Sequence, residues 1–387
     1  MRILHTSDWH LGRSFHGVGM LDAQSRFVDQ LVGTVEEQDI DVVLIAGDIY
    51  DRALPAVDVV NLLDDALFRL TSAGARVVLT SGNHDSASRL GFGSRVLEQG
   101  GVHLRTRIAD IDSPVIIDDG EVQLAVYGIP YLEPRLAAEE LGAESASHTA
   151  VTSAALQRIH ADLARRRDEG GQPVSFVLAH TFASGGISSD SERDLAIGGV
   201  GAVPLDLFEE FDYVALGHLH GRQRLSESVR YSGSPLPYSF SEAKQEKGAW
   251  LIEAGPSGIK NVESIDWPVA RGLEVLRGDL NELLTGEKYA AAGEAYCQIT
   301  LTDIERPKNA MERVRSRFPH TLVLGFDPEG GNQRPTETYG ARIAKAADDL
   351  EICCGFIEHV RGRGVEDAER DMVRGALDRV REGEQSR

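Results

Sequence analysis

Seven residues have types and spacing suited to a pair of divalent cations: Asp8, His10, Asp48, Asn83, His180, His218 and His220. Carboxylate and amide oxygens suit hard cations, whereas imidazole shifts preference toward transition metals, so this mixed set favours manganese over magnesium. Seven ligands serve two metals when one carboxylate bridges, and Asp48, with two oxygens to share, is the natural bridge. Two metals roughly 3.5–4 Å apart can clamp a phosphate and activate a water between them. An Asp-x-His or His-x-His pair alone is common by chance. Five such motifs in order, each directly after an apolar run, are not. Of twelve histidines, five fall in these motifs. His5, His16, His103, His148, His160, His320 and His359 read as structural, with His5 on the opposite face of its strand from the ligand turn.

The elements that must position these groups are short β-branched runs at 2–6, 41–46, 75–80, 122–128, 174–179 and 212–216, which read as buried strands. Amphipathic stretches at 22–38, 55–72 and 148–167 read as helices, with Pro55 an early helical residue. This alternation predicts a layered α/β domain, in which ligand groups gather at the carboxyl ends of strands. Residues 181–201 hold five glycines and several serines and read as a long loop, either closing over substrate or without a role. Further strands are expected around 229–252. After Trp267-Pro268, strands at 271–277 and 295–302 and a helix at 308–317 suggest a small α+β module, followed by charged helices over 338–360 and 365–382.

The chain has 387 residues and a formal charge of −21. The length exceeds one ordinary core, so a large domain with smaller ones is expected. Strong acidity on its own speaks against a nucleic-acid substrate. The acidity sits mainly in residues 1–270, because 271–387 carries 18 basic and 22 acidic residues, a net of −4 that leaves −17 for the rest. A bound metal pair reverses that local field where phosphate would sit. The three cysteines, Cys297, Cys353 and Cys354, form no CxxC, which argues against a disulfide scaffold and fits a reducing compartment. The apolar run after Met1-Arg2 breaks after two residues, so no signal peptide is expected. No membrane span is expected either, and a soluble cytoplasmic protein is the default.

Asp8-x-His10, Gly47-Asp48-x-x-Asp51, Gly82-Asn83-His84-Asp85, His180 and Gly217-His218-x-His220 together resemble the calcineurin-like metallophosphoesterase signature. The opening Ile3 to Gly12, Ala179-His180-Thr181-Phe182 and Tyr231 to Pro237 narrow the resemblance to the bacterial SbcD nuclease-subunit family. It covers roughly residues 1–250 by motif and weakens through 271–387. It implies a four-layer α/β fold, a β-sandwich flanked by helices, with a nuclease domain over 1–268. A capping, DNA-guiding domain is expected over 269–335, and C-terminal helices over 336–387 for the coiled-coil base of an SbcC-type SMC-like ATPase. It implies one Mn2+ (or Mg2+) on Asp8, His10, Asp48 and His220 and a second on Asp48, Asn83, His180 and His218. His84 is then a general acid for the departing oxygen. Asp51 is placed by analogy to orient His84, the alternative being a turn or cap residue. The implied activity is 3′-to-5′ duplex exonuclease and single-strand endonuclease in DNA repair and recombination. The implied assembly is a homodimer through the first helices of the large domain, within a heterotetramer.

Residues 306–317 carry Arg306, Lys308, Arg313, Arg315 and Arg317 against Glu312 alone. This stretch is a candidate phosphate contact or a solvated helix face. Arg13 and Arg52 adjoin ligand motifs and could touch the DNA backbone, although Arg52 could equally pair with an acidic neighbour. The C-terminal apolar residues Tyr339, Ile343, Leu350, Ile352, Phe356, Ile357 and Val360 recur on helical spacing, as a partner-binding face or as packing on the chain's own domain. Two other functions compete. One is another phosphoesterase of the same superfamily; Ser86, rather than Arg, after Gly-Asn-His-Asp argues against a protein phosphatase. The other is a metal-retaining DNA scaffold without activity, against which the complete ligand set argues.

Overall fold

Continuous β-branched runs do become strands. The computed structural model describes residues 1–192, 201–328, 349–361 and 364–385. Part of the predicted loop (193–200) and Tyr339 and Ile343 of the predicted partner face lie outside those residues. Apart from a two-residue-per-arm hairpin (Ser14–Phe15 with Val18–Gly19), the first strands in chain order are β1 (Arg2–Thr6), β2 (Val42–Ala46), β3 (Arg76–Thr80) and β4 (Val102–Arg105). They pair in parallel, so their carboxyl ends share one edge. Next come β5 (Val115–Asp118), β6 (Gln123–Ile129), β7 (Val174–His180), β8 (Tyr213–Gly217), β9 (Gln223–Arg224) and β10 (Val229–Tyr231), which form a second sheet in the order β9-β10-β8-β7-β6-β5. Finally β11 (Gly248–Gly255) and β12 (Gly258–Asp266) return antiparallel to the first sheet, in the order β12-β11-β1-β2-β3-β4.

The inner faces of both sheets meet in one apolar layer that includes Ile3, Leu44, Val78, Leu124, Phe176 and Tyr213. The outer face of the second sheet is covered by helices α3 (Pro134–Leu141) and α4 (His148–Asp168), through Leu141, Val151, Leu156 and Ile159. Helices α1 (Leu21–Glu37) and α2 (Val57–Ser72) pack on each other, and α2 packs on β3. The result is helix, sheet, sheet, helix: four layers. Burial on both faces explains why β2, Val-Val-Leu-Ile-Ala, is wholly apolar. Ser147 caps α4 by accepting from the Ala150 N–H. Pro55 lies outside its helix: α2 starts at Val57, with an extended Ala56 as its cap residue. The fixed φ of proline thus sets the approach to the helix rather than its first turn.

Contacts divide the chain into residues 1–275 with 294–297, and residues 276–293 with 298–387. A three-stranded sheet runs β13 (Leu273–Gly278), β14 (Tyr296–Leu301), β15 (Thr321–Phe326). In the second unit, α5 (Leu280–Thr285) and α6 (Ala310–Arg315) bury Leu283 and Val314. The predicted helix over 308–317 is shorter because Asn309 takes a left-handed φ of 51° before it. Helices α7 (Asp349–Arg361) and α8 (Asp367–Gln385) pack on each other. None of the described helices is long and apolar enough to cross a membrane.

Candidate metal centre

The carboxyl ends of β1, β2, β3, β7 and β8 turn into the five ligand motifs. These turns are strained. Asp8 (φ 52°), His10 (45°), Asp48 (49°) and His218 (111°) all have positive φ, a region non-glycine residues seldom occupy. Gly47, at φ 81°, is required twice over, since a Cβ there would lie 2.4 Å from His180 Nδ1. A Cβ on Gly82 would lie 2.1 Å from Asp48 Oδ1. Asp85 clamps two of the turns together: its carboxylate accepts from Ile49 N (3.0 Å), Tyr50 N (2.9 Å) and Gly82 N (2.9 Å).

All seven predicted ligands come together, in two clusters. In the first, His10 Nε2 and His220 Nε2 face each other at 3.1 Å. Asp8, His10 and His220 offer ligand atoms all within 4.8 Å of one another. In the second, Asn83 Oδ1 lies 3.0 Å from His180 Nε2 and 3.3 Å from His218 Nδ1. Asp48 Oδ2 stands between them, 3.6 Å from His10 Nε2 and 3.3 Å from His180 Nε2. The donor set fits cations. Imidazole nitrogens and carboxylate oxygens crowd together in a buried place, with His10 Nε2 turned toward His220 and Asp48. These His and Asp groups are positioned to bind metal.

Electrostatics follow from burial and crowding. Burial raises the Asp8 carboxyl to about 6, with His180 and His220 pulling against it. Burial also opposes charge on Asp48, but His180 and His10 outweigh it and hold that carboxyl far below the usual range. Burial lowers His10 to about 4 and His218 to about 3. His180 goes the other way: burial would lower it, yet Asp48 pushes it up to about 9. The site therefore separates His10 and His218, which burial keeps neutral, from His180 and His220, which burial also opposes but acidic neighbours raise.

His84 borders both clusters. Its ring stands edge-on to His10 with centroids 4.7 Å apart, and its main-chain N–H donates to Asp48 Oδ1 at 2.9 Å. His84 Nδ1 donates to Asp51 at 3.0 Å, but to the main-chain oxygen, not the carboxylate. The Asp51 side chain instead faces His10 Nδ1 at 3.6 Å and Arg13 at 3.8 Å. Arg13 also stacks over the Tyr238 ring at 5.0 Å. Arg52 is 81% exposed, 3.7 Å from the other Asp51 oxygen. His5 is buried below the site, against the Tyr213 hydroxyl (3.0 Å) and Leu216 O (3.2 Å).

The basic stretch 306–317 does not present its arginines equally. Arg315 donates to Thr321 O, and Arg317 donates to Leu283 O (3.0 Å) and Gly286 O (2.7 Å). Their guanidiniums close turns of the small unit, which leaves Arg313 as the more available cation of the three. Spacing also did not reveal Glu192, Tyr238, Glu242 and Lys247. Tyr238 places its ring edge against His10 and His220, at centroid distances of 5.6 and 5.8 Å. Glu242 lies 3.2 Å from His220 Nδ1. Residue type alone does not single them out, because Glu242 and Lys247 share their stretch with exposed Lys244 and Glu246.

A model of the calcineurin-like phosphoesterase family matches residues 1–222. A second, SbcD_C, described as the type 5 capsule protein repressor C-terminal domain, matches residues 269–353. Among solved structures, TT1561 of Thermus thermophilus is similar at 12% identity, covering 68% of this chain and 98% of its own, with a TM-score of 0.38. A dimetal phosphatase from Danio rerio is similar at 13% identity, covering 69% and 99%, with a TM-score of 0.41. GAP50, the anchor in the inner membrane complex of Plasmodium, is similar at 12% identity, covering 86% and 99%, with a TM-score of 0.39. Scores this low carry nothing about function. The first family model spans more than half of the 387 residues, so the chain belongs to the calcineurin-like phosphoesterase family, and the SbcD_C region behind it marks an SbcD-type member.

Proposed function

We propose that this chain is the nuclease subunit of an SbcD-type complex, hydrolysing DNA phosphodiesters with two Mn2+ ions. The observation that carries this reading is the pair of donor clusters sharing Asp48 Oδ2, with His84 beside them. Asp8, His10, Asp48 and His220 would hold one ion, and Asp48, Asn83, His180 and His218 the other. Bound there, the ions supply charge neutralisation for the phosphate and activation of a water.

The remaining chemistry belongs to the chain. When the P–O bond breaks, the departing oxygen needs a proton, and His84 is the donor beside the centre. Its Nδ1–H is held by Asp51 O, so the proton handed to the leaving oxygen is the one on Nε2 of the doubly protonated ring, which returns to the neutral Nδ1–H tautomer. Asp51 therefore acts through its main chain on His84, while its carboxylate restrains His10 and Arg13. Arg13, Arg52 and Arg313 are the proposed contacts to the DNA backbone; Arg315 and Arg317 contribute through the field of the small unit.

An SMC-like ATPase is the proposed partner of α7 and α8. A groove of about 460 Å³ between these helices is lined by Ile352, Cys353, Phe356, Ile357, Val373, Ala376 and Leu377, the helix-in-groove pattern of coiled-coil recognition. Leu54 (66% exposed), Val57 (77%), Phe92 (85%) and Val96 (74%) are apolar side chains that a homodimer would cover. A cytoplasmic, nucleoid-associated location goes with this function.

The test compares manganese-dependent hydrolysis of linear duplex DNA, a small phosphodiester and a phosphomonoester, with and without the ATPase. Duplex degradation from 3′ ends that needs partner and ATP supports the proposal. Preference for the monoester, or no hydrolysis by a metal-loaded complex, would overturn it.

A further inference from the structure

Behind the first donor cluster lies a buried ion pair that the proposed reaction does not use. Glu242 is 1% exposed and Lys247 5% exposed, and Lys247 Nζ donates to Glu242 Oε2 at 2.6 Å. Lys247 also donates to His220 O (2.9 Å), Ser234 Oγ (3.0 Å) and Gln245 Oε1 (2.9 Å). The other Glu242 oxygen, Oε1, faces His220 Nδ1 at 3.2 Å and accepts from Ser191 Oγ at 2.6 Å. On the main chain, His220 N donates to Glu192 Oε1 at 2.5 Å. Burying a carboxylate and an ammonium is costly, and apolar residues of similar size would serve packing as well or better. This pair instead converges on one imidazole. His180 is supported differently: its Nδ1 donates to a neutral carbonyl, Ala46 O, at 3.0 Å.

We infer that Glu242 is a positioning residue for His220. Its Oε1 accepts the Nδ1–H, fixing tautomer and ring so that Nε2 faces the first donor cluster, while Lys247 locks the carboxylate from behind. A hydrogen-bonded acceptor of this kind orients a ligating histidine and raises its basicity. Ser191 donates to Glu242 and Glu192 accepts from the His220 main-chain N–H, so these two residues brace the same histidine.

This rests on the proposed reading of His220 as a ligand, and the test separates the two. Mn2+ binding to the full chain is followed by calorimetry, and the spin coupling of adjacent ions by electron paramagnetic resonance. Wild type is expected to take up two ions. His220→Ala should lose one; uptake of two ions at wild-type affinity would remove the ligand reading itself. The double variant Glu242→Leu/Lys247→Met replaces the pair by apolar side chains and avoids a stranded charge. It should melt near wild type yet bind one ion about 10- to 100-fold more weakly and lose the coupled signal. Glu242→Gln, whose amide oxygen still accepts the Nδ1–H, should recover most of that affinity. Ser191→Ala should weaken the same ion slightly. If the double variant, or Glu242→Met/Lys247→Met should the first double variant not fold, binds both ions as tightly as wild type with the coupling signal intact while Ser191→Ala is also silent, Glu242 does not position His220.

Discussion

The two halves of the metal centre are built from similar donors but supported differently. Around Asp8, His10 and His220 the support is charged: Asp51 lies 3.6 Å from His10 Nδ1, and Glu242 lies 3.2 Å from His220 Nδ1. Around Asn83, His180 and His218 it is neutral, a main-chain carbonyl on His180 and an amide among the donors. Negative charge strengthens cation binding, so the first half should hold its ion more tightly than the second. In the proposed site, the shared Asp48 would keep the halves from behaving as separate sites.

The largest effect is expected where both halves meet. Asp48→Ala should abolish stable uptake of both ions and lower phosphodiester hydrolysis by on the order of 10³-fold or more. Full manganese occupancy in that variant would remove Asp48 as the bridge. Next, His84→Ala should lower hydrolysis by about 10²- to 10⁴-fold and leave metal content unchanged. A substrate with a p-nitrophenolate leaving group should lose far less, because that oxygen needs no proton. Loss of metal in His84→Ala would make it a ligand instead.

Asn83→Ala should weaken only the more loosely held ion, by about tenfold or more, whereas Asp8→Asn should weaken the tighter one. The reverse order, read by stepwise Mn2+ titration, would break the asymmetry between the halves.

The effect of pH has a definite sign. With His180 raised from 6.5 to about 9, its stabilising contribution to the metal-free protein is fully present below about pH 6.5 and lost as pH rises through about 9. The raised Asp8, at about 6, works in the same direction, present below its ordinary value of 3.8 and lost as pH rises through about 6. A cation must displace the His180 proton, so Mn2+ affinity should rise over the range in which metal-free stability falls. Melting in chelator and Mn2+ titration, each from pH 6 to 9, would show this crossing. The smallest effect belongs to neither half: Arg313→Glu should reduce the salt slope of DNA binding by about one and leave metal binding unaltered.

The halves also differ in how far they could be read beforehand. Ligands on strand ends were legible because a buried strand leaves a plain apolar run, and the polar residue that ends it is conspicuous. Hence β1, β2, β3, β7 and β8 each announced their motif within a residue or so of the observed boundary. Support by side chains was not legible. Glu242 and Glu192 reach His220 across 22 and 28 residues of chain, and no local period encodes that return. Asp51 meets His84 through an atom every residue possesses, so residue type gave no hint of it. The short edge strands β4 and β5 alternate between buried and more open positions and left too weak a pattern to identify. The arginines at 315 and 317 looked like surface charge because only the folded turn shows the carbonyls they hold.

The left-handed turns at Asp8, His10, Asp48 and His218 also bear on how substitutions in this protein should be read. Asp and Asn tolerate that backbone region better than most side chains, and an ordinary L-residue there costs roughly 1–2 kcal/mol. Alanine at Asp8 or Asp48 therefore removes a ligand and strains a turn at once, and the measured loss is the sum. Asparagine keeps the turn and still offers an oxygen, so the difference in metal-free melting between the two variants, rather than in metal affinity, reports what the backbone contributes to holding the centre in shape.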